Sequence, residues 1–206
     1  MEKACLFPRR RMITGVICIF LCMAGAYNCL THLFVYLDVL IFDLGMLIWD
    51  LVLFAGYVLL TVGAFKVNFI LSGIGISVVT LMKIANIIKG VFLTENANVS
   101  EEIYALMAVD VAEVLGLLMG ALLILSQLKP EGALKNTMKT IWFAPAVFFA
   151  ISVVGSLFSN VGVLSDKTVT MLFLSLATVS YAVWCANPKG FVLELANRLK
   201  ANENEL

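Results

Sequence analysis

Six long apolar runs constrain the fold of this chain more than any other feature of its sequence. A run of about 20 apolar residues, folded as an α-helix, crosses the roughly 30 Å hydrocarbon core of a bilayer. Hydrophobic residues make up 62% of the 206 residues, whereas a soluble domain has roughly half. The runs cover about residues 12–36, 39–65, 67–91, 103–127, 140–159 and 169–186. We therefore predict an all-α, multi-pass integral membrane protein, a bundle of six transmembrane helices whose first partner is the lipid bilayer.

The interruptions between the runs are short and polar, and none is long enough for a separate soluble domain. We therefore predict a single membrane domain over residues 1–206. After the last run, the tail 187–206 places Phe191, Leu195 and Leu199 on one helical face. This pattern predicts a short C-terminal helix that lies in the membrane interface.

Basic residues are distributed unevenly between alternate loops. Cytoplasmic loops of membrane proteins are enriched in Lys and Arg, and this bias sets their orientation. One side of the predicted membrane carries only Lys89 and Lys167. The side that holds both termini carries eleven basic residues, namely Lys3, Arg9, Arg10, Arg11, Lys66, Lys129, Lys135, Lys139, Lys189, Arg198 and Lys200. The sequence therefore predicts that both termini are cytoplasmic, and it does not indicate which membrane holds the protein.

The predicted orientation puts the sequence Asn98-Val99-Ser100 on the outer side of the membrane. Asn-x-Ser is an acceptor motif for N-glycosylation in a eukaryotic secretory membrane. A single motif of this kind also arises by chance, so the sequence leaves the modification of Asn98 open.

Four ionisable residues lie inside the apolar runs: Asp50, Lys83, Asp110 and Glu113. A charge in hydrocarbon is costly, so such residues face the protein interior and pair with one another. An α-helix rises about 1.5 Å per residue, so all four residues are expected at a similar depth, in the layer that extends from the outer half of the membrane to its midplane. Consecutive antiparallel helices are usually neighbours, so we expect Lys83 to contact Asp110 or Glu113. Asn86, one turn beyond Lys83, is expected to join them.

One lysine against three carboxylates gives this group a formal charge of −2. At least one carboxyl is therefore expected to be protonated, hydrated, or neutralised by a cation or a partner's basic residue. A carboxyl beside an ammonium group has the parts of a proton-binding or cation-binding site. The alternative is a structural ion pair that joins the third and fourth helices.

Three further residues are candidates for smaller roles. His32, the only histidine, lies near the outer end of the first run and is either a pH sensor or a polar residue of the interface. Gly116 and Gly120 form a GxxxG pattern in the fourth run, which permits close helix packing. Such a pattern occurs often by chance and does not identify the packing partner.

Two functions agree with these features. The first is a small channel or secondary transporter for a proton, a cation or a cationic solute, with the three carboxylates as acceptors and Lys83 as their counter-charge. The second is a non-catalytic accessory or scaffold subunit of a larger membrane complex, or of a homo-oligomer, in which the charges serve helix packing or docking. The sequence identifies neither the ion or solute nor the partner subunit.

Enzymatic activity is not expected from this sequence. One histidine cannot supply a multi-histidine metal or haem site, and no GxSxG, HExxH or phosphate-binding glycine loop occurs. We therefore predict neither a metal nor a cofactor. A dyad of Asp50 and Asp110 that shares a proton is a third interpretation, which no motif supports. Basic and acidic residues number 14 each, which gives no indication of nucleic acid as a partner.

Overall fold

The computed structural model describes residues 3–39, 44–94, 101–128, 132–159 and 166–186. Within these ranges the chain forms seven helices and no strand, so the all-α prediction is confirmed. The tail 187–206, with its predicted interfacial helix, and Asn98 lie outside the described residues. The helices are α1 (Lys3–Val39), α2 (Leu44–Lys66), α3 (Phe69–Thr94), α4 (Glu101–Ser126), α5 (Ala133–Thr140), α6 (Ala144–Ser159) and α7 (Asp166–Ala186).

Five of these helices are long and apolar enough to cross a membrane, as expected of a multi-pass membrane protein. The five segments are Arg10–Phe34, Gly45–Lys66, Phe69–Lys89, Met107–Ser126 and Val169–Ala186. The count of six spans is not confirmed, because α6 has 16 residues and extends only about 24 Å. A turn at residues 141–143 precedes it, and Pro145 lies in its first turn. Proline lacks a backbone N–H and is favoured in the first turn of a helix, which agrees with a helix start at Ala144.

A two-residue turn joins α2 to α3. Val67 has a left-handed backbone with a φ of 54°, which is unusual for a β-branched residue. The Asn68 backbone N–H donates to the Gly63 carbonyl at 2.9 Å. The Asn68 side chain accepts bonds from the backbone N–H groups of Ile70 and Leu71 at 3.0 and 3.2 Å, and so caps α3. Because the connection is this short, α2 and α3 pack as antiparallel neighbours.

The long helices pack in chain order, and α7 closes the bundle. α1 contacts α2, α2 contacts α3, α3 contacts α4, and α4 contacts α6, while α7 contacts α6, α4 and α1. α7 runs antiparallel to α1, because the Thr14 and Ser180 hydroxyls lie 2.6 Å apart and Asn28 donates to Thr170 at 3.2 Å. The first and last long helices are thus held together by polar contacts about 20 Å apart along α1.

The core of the bundle is centred on α7. Tyr181 is fully buried; its hydroxyl donates to the Leu60 carbonyl of α2 at 2.5 Å and lies 2.8 Å from the Ser72 hydroxyl of α3. One side chain therefore links three helices. The apolar residues packed in the same core include Leu21, Ile76, Leu117 and Leu174.

The outward surface is strongly apolar. Exposed side chains of α1 recur every three or four residues and form a stripe of Met12, Val16, Phe20, Met23, Tyr27, Leu30 and Phe34. A continuous apolar surface of this size is unfavourable in water and is matched by lipid chains. The exposed stripe therefore agrees with a bilayer as the surroundings of the bundle.

The α2–α3 contact depends on glycine. A Cβ atom added at Gly75 would lie 2.7 Å from the Gly56 carbonyl oxygen and 2.8 Å from the Leu60 backbone nitrogen. A Cβ added at Gly63 would lie 2.7 Å from the Ser72 backbone nitrogen. These are backbone atoms, which cannot rotate away as a side chain can. Glycine at these positions therefore allows the two backbones to approach.

Candidate functional site

Lys83 of α3 and Glu113 of α4 form an ion pair inside the bundle. The Lys83 ammonium donates to Glu113 Oε2 at 3.0 Å and lies 2.9 Å from Oε1. At about 1.5 Å per helical residue, Lys83 lies about 16 Å from the end of α3, and Glu113 lies about 18 Å from the start of α4. Of the two partners predicted for Lys83, which were Asp110 and Glu113, the structure places Glu113 in contact with it.

The two partners differ in exposure. The Glu113 side chain is 2% exposed, and the Lys83 side chain is 20% exposed. Glu113 Oε1 is fully enclosed and accepts no hydrogen bond of good geometry, the one side-chain N or O atom in this state among the described residues. Lysine carries its charge on a flexible stem. Glu113 is therefore the enclosed member of the pair, and Lys83 is the more accessible one.

α4 turns Glu113 away from the lipid. Glu113 shares its face with Leu117, one turn further along, and both side chains are buried. Val111, Leu115 and Leu118 are exposed on the outer side of the helix. The charge therefore faces protein, as expected for an ionisable group inside a membrane.

Asp50 makes a different contact. Its carboxylate forms a hydrogen-bonded contact with Nδ1 of His32 on α1. His32 lies about 10 Å from the end of α1, and Asp50 about 9 Å from the start of α2. These helix ends, with the end of α3 and the start of α4, form what we call the distal end of the bundle. His32 is 43% exposed and Asp50 15%, so this pair is more accessible than Lys83–Glu113.

Three of the four charges that the sequence placed in one layer therefore fall into two separate contacts: Asp50 pairs with His32 between α1 and α2, and Lys83 pairs with Glu113 between α3 and α4. The contact between His32 and Asp50 was not predicted from the sequence. The first helix was predicted to end near residue 36 and the second to begin near residue 39, whereas α1 continues to Val39 and α2 starts at Leu44. Both shifts bring the two side chains to a common depth. The contact could not be predicted without the correct helix ends, because these set the depth of each side chain in the bundle.

Asp110 and Asn86 lie next to the Lys83–Glu113 pair in sequence without joining it. Asp110 is nearly one turn closer to the start of α4 than Glu113, and Asn86 is nearly one turn beyond Lys83; both are half-buried. Neither side chain has a hydrogen bond or an ion pair with any residue that the structure describes. Asp110 therefore adds a negative charge near the pair that no described cation balances.

Gly116 and Gly120 lie at two different helix contacts within the chain. A Cβ atom at Gly116 would lie 3.1 Å from the ring of Phe149 in α6. A Cβ atom at Gly120 would lie 2.2 Å from the Thr178 side chain in α7. Both glycines therefore allow neighbours to pack closely against α4.

The chemistry available at this site comes from the chain's own charges. No group of three or more His, Cys, Asp or Glu side chains that could hold a metal ion occurs in the described ranges. Comparison with known protein families, with curated proteins and with solved structures found no match to this chain. What the geometry offers is a buried carboxylate that can accept a proton or a small cation, and an ammonium group that competes for the same oxygens.

Proposed function

We propose that this protein is a channel or secondary transporter for a proton, a small cation or a cationic solute, and that Glu113 binds the transported species. The observation that carries the proposal is the state of the Glu113 carboxylate. It is buried, and the Lys83 ammonium lies within 3.0 Å of both of its oxygens, with a well-aligned hydrogen bond to Oε2 alone. A buried carboxylate whose described counter-charge is a single, partly exposed ammonium group is suited to reversible cation binding.

Stability alone does not account for the pair. Taking two charges out of water costs several kcal/mol per ion, and their attraction offsets this only when every remaining lone pair is hydrogen-bonded. Glu113 Oε1 lies 2.9 Å from the Lys83 ammonium but accepts no well-aligned hydrogen bond, and Asp110 is a second acidic residue nearly one turn away on the same helix. Apolar residues of similar size would pack at least as stably. A binding role gives a reason for charges at these positions.

Binding proceeds by exchange between Lys83 and the incoming species. When a proton or cation reaches Glu113, it neutralises the carboxylate and weakens the attraction of the Lys83 ammonium. The partly exposed Lys83 side chain then withdraws. When the bound species leaves, the ammonium returns. The buried carboxylate is thus compensated at both stages, which lowers the cost of holding it in the membrane.

The distal end attracts cations toward the pair. Asp50 and Asp110 lie nearer this end than Glu113, and each is partly accessible. Negative groups that line one end of a low-dielectric passage raise the local concentration of cations. Asn86 lies between Lys83 and the distal end of α3. Its neutral amide oxygen can coordinate a cation as a water oxygen would.

A flux assay tests the proposal. The purified protein is reconstituted in liposomes that contain a pH-sensitive dye, and proton and Na⁺ or K⁺ gradients are imposed in turn. We expect the wild type to dissipate at least one gradient faster than empty liposomes, and Glu113→Gln to reduce the rate to that of empty liposomes. Ser175→Ala is the control, because its hydroxyl bonds only the Met171 carbonyl of its own helix. Wild-type flux that survives in Glu113→Gln would contradict the role of Glu113.

The same assay separates transport from the alternative, an accessory or scaffold subunit. Asp110 gives that alternative its support, because a basic residue of a neighbouring subunit would neutralise a carboxylate that no described residue pairs with. A well-folded wild-type protein that carries no flux under any of the gradients would favour the subunit role.

The proposal includes an orientation with both termini in the cytoplasm, which requires α6 to cross the membrane with its flanking residues. Two contacts support this crossing. The Cβ position of Gly116 meets Phe149, and Ser152 donates to the Val109 carbonyl at 3.1 Å, so α6 runs antiparallel along α4. An antiparallel course returns the chain to the distal end, where α7 starts.

Reporter fusions test this topology. With six crossings, GFP fused after Leu206 is expected to fluoresce in bacterial cells, and alkaline phosphatase fused there is expected to be inactive. The same phosphatase fused within the α6–α7 connection at residues 160–165 is expected to be active and serves as the internal control. Active phosphatase after Leu206 would contradict the six-crossing orientation.

A further inference from the structure

Two basic residues lie at the corner of the bundle where α1 starts and α2 ends. The Arg11 guanidinium of α1 donates a hydrogen bond to the backbone carbonyl of Phe65, the residue before Lys66 at the end of α2. A Cβ atom added at Gly15, one turn beyond Arg11, would lie 2.8 Å from the Phe65 ring, so the two helices are in contact here. Arg11 and Lys66 are therefore neighbours across this helix contact.

The positive charge of this corner has no counter-charge among the described residues. Arg11 is half-buried, and the one described partner of its guanidinium is the neutral Phe65 carbonyl, which leaves further N–H donors of the five that a guanidinium carries. Lys66 is exposed and forms no ion pair with any residue that the structure describes. Charges that are partly removed from water are normally paired, because their desolvation is costly. The corner is therefore suited to an anion.

The described charges are segregated between the two ends of the bundle. We call the end that holds the starts of α1 and α3 and the ends of α2, α4 and α7 the proximal end. The described basic residues at this end are Lys3, Arg9, Arg10, Arg11, Lys66, Lys135 and Lys139. The described acidic residues lie at the distal end or in the interior, and they are Asp38, Asp50, Glu101, Glu102, Asp110, Glu113 and Asp166. The proximal end therefore attracts anions.

The basic corner lies at the level of the lipid headgroups. The apolar span of α1 starts at Arg10, and the apolar span of α2 ends at Lys66. The ends of a transmembrane span mark the boundary between hydrocarbon and headgroups. A guanidinium and an ammonium at this boundary lie at the depth of the phosphate groups of a phospholipid leaflet.

Exposed apolar side chains continue from the corner along the outside of the α1–α2 contact. They recur every seven residues and so form one stripe on each helix. The stripes consist of Leu51, Val58 and Phe65 on α2, and of Met12 and Ile19 on α1. Gly15, which packs against Phe65, lies between the two stripe residues of α1, so both stripes flank the same contact. The corner thus joins a cationic group of side chains to an apolar track.

We propose that Arg11 and Lys66 bind the phosphate of an anionic phospholipid, whose acyl chain lies along the two stripes. A guanidinium matches two phosphate oxygens with a planar pair of N–H donors, and the ammonium adds a point charge. A zwitterionic phospholipid has the same phosphate but also a cationic group, which the basic pair repels. Inorganic phosphate has no chain for the apolar track. The site therefore selects anionic lipids, and it does not depend on a transport function.

The test measures energy transfer from the tryptophans of the purified protein to tail-labelled phosphatidylglycerol in neutral detergent. Unlabelled phosphatidylglycerol should displace the labelled lipid, whereas phosphatidylcholine with the same chains and inorganic phosphate should not. We expect Arg11→Gln/Lys66→Gln to reduce the preference for phosphatidylglycerol over phosphatidylcholine at least about tenfold, because each basic residue at a membrane surface strengthens the binding of anionic lipid about fivefold. Lys89→Gln is the matched control, because it removes an exposed lysine at the distal end and should keep the wild-type preference.

Lys66→Gln alone carries the test if the double variant is not monodisperse. Its side chain is exposed, so the fold should be retained, and the preference should fall about fivefold. Three results would overturn the proposal: an unchanged preference in the Lys66→Gln or the double variant, an equal loss in Lys89→Gln, or displacement of the labelled lipid by inorganic phosphate. All three are read without a flux assay, so the lipid site and the transport function can fail separately.

Discussion

Lys83→Met is expected to destabilise the protein far more than Glu113→Gln. Without Lys83, the Glu113 carboxylate, which is 2% exposed, is left buried without a counter-charge. Removing one partner of a buried ion pair costs about 3–5 kcal/mol. In Glu113→Gln the remaining charge is Lys83, which is 20% exposed and whose flexible stem can carry the ammonium toward water or the membrane interface. The loss should therefore be smaller than in Lys83→Met.

The double variant Lys83→Met/Glu113→Met tests whether the ion pair is needed to stabilise the fold. Two apolar side chains of similar length fill the same space without any charge, so the double variant should regain most of the stability that Lys83→Met loses, to within about 1 kcal/mol of the wild type. Unfolding by titration with a denaturing detergent in mixed micelles measures all four proteins. A double variant as unstable as Lys83→Met would show that the pair itself holds α3 to α4, and a structural role would then suffice.

Gly75→Val is expected to prevent α2 and α3 from packing. Its Cβ atom would lie 2.7 Å from the Gly56 carbonyl oxygen and 2.8 Å from the Leu60 backbone nitrogen. Overpacking usually costs about 1–3 kcal/mol, and here the cost should reach or exceed the upper value, because helix backbones must separate to relieve the contact. The separation would also shift α3 and move Lys83 relative to Glu113.

The matched control is Ala55→Val, which adds the same β-branched side chain on the exposed side of α2. Size-exclusion profiles and unfolding midpoints in detergent should show loss of folded monomer for Gly75→Val and near wild-type behaviour for Ala55→Val. Equal stability of the two variants would mean that the α2–α3 backbones do not approach as closely as described.

The helices could be predicted from the sequence, whereas their ends could not. A run of apolar residues indicates a span because each residue adds to the same transfer free energy. A helix end depends on a few local groups instead. Pro145, read as an early kink in a longer span, lies in the first turn of α6. Errors of a few residues at the ends of α1 and α2 were enough to hide the contact between His32 and Asp50.

The Lys83–Glu113 contact was partly predictable. The cost of a charge in hydrocarbon requires Lys83 to find a carboxylate, and antiparallel neighbours bring α3 and α4 to a common depth. The choice between Asp110 and Glu113 depends on a rotation of α4 by less than a turn. Packing sets that rotation, including the burial of Leu117 and the contact of Gly120 with Thr178. Those contacts are with helices that are distant from α4 in the sequence, so a local sequence pattern does not predict the rotation.

Infrared difference spectroscopy of the protein in lipid films measures whether Glu113 exchanges Lys83 for another cation. Films of the wild type and of Glu113→Gln are perfused with buffers that differ only in pH, and then only in Na⁺ or K⁺ concentration. We expect the wild type to show a reversible change in the carboxyl stretching bands in at least one series, and this change should be missing in Glu113→Gln. Identical difference spectra for the two proteins in every series would contradict cation binding at Glu113.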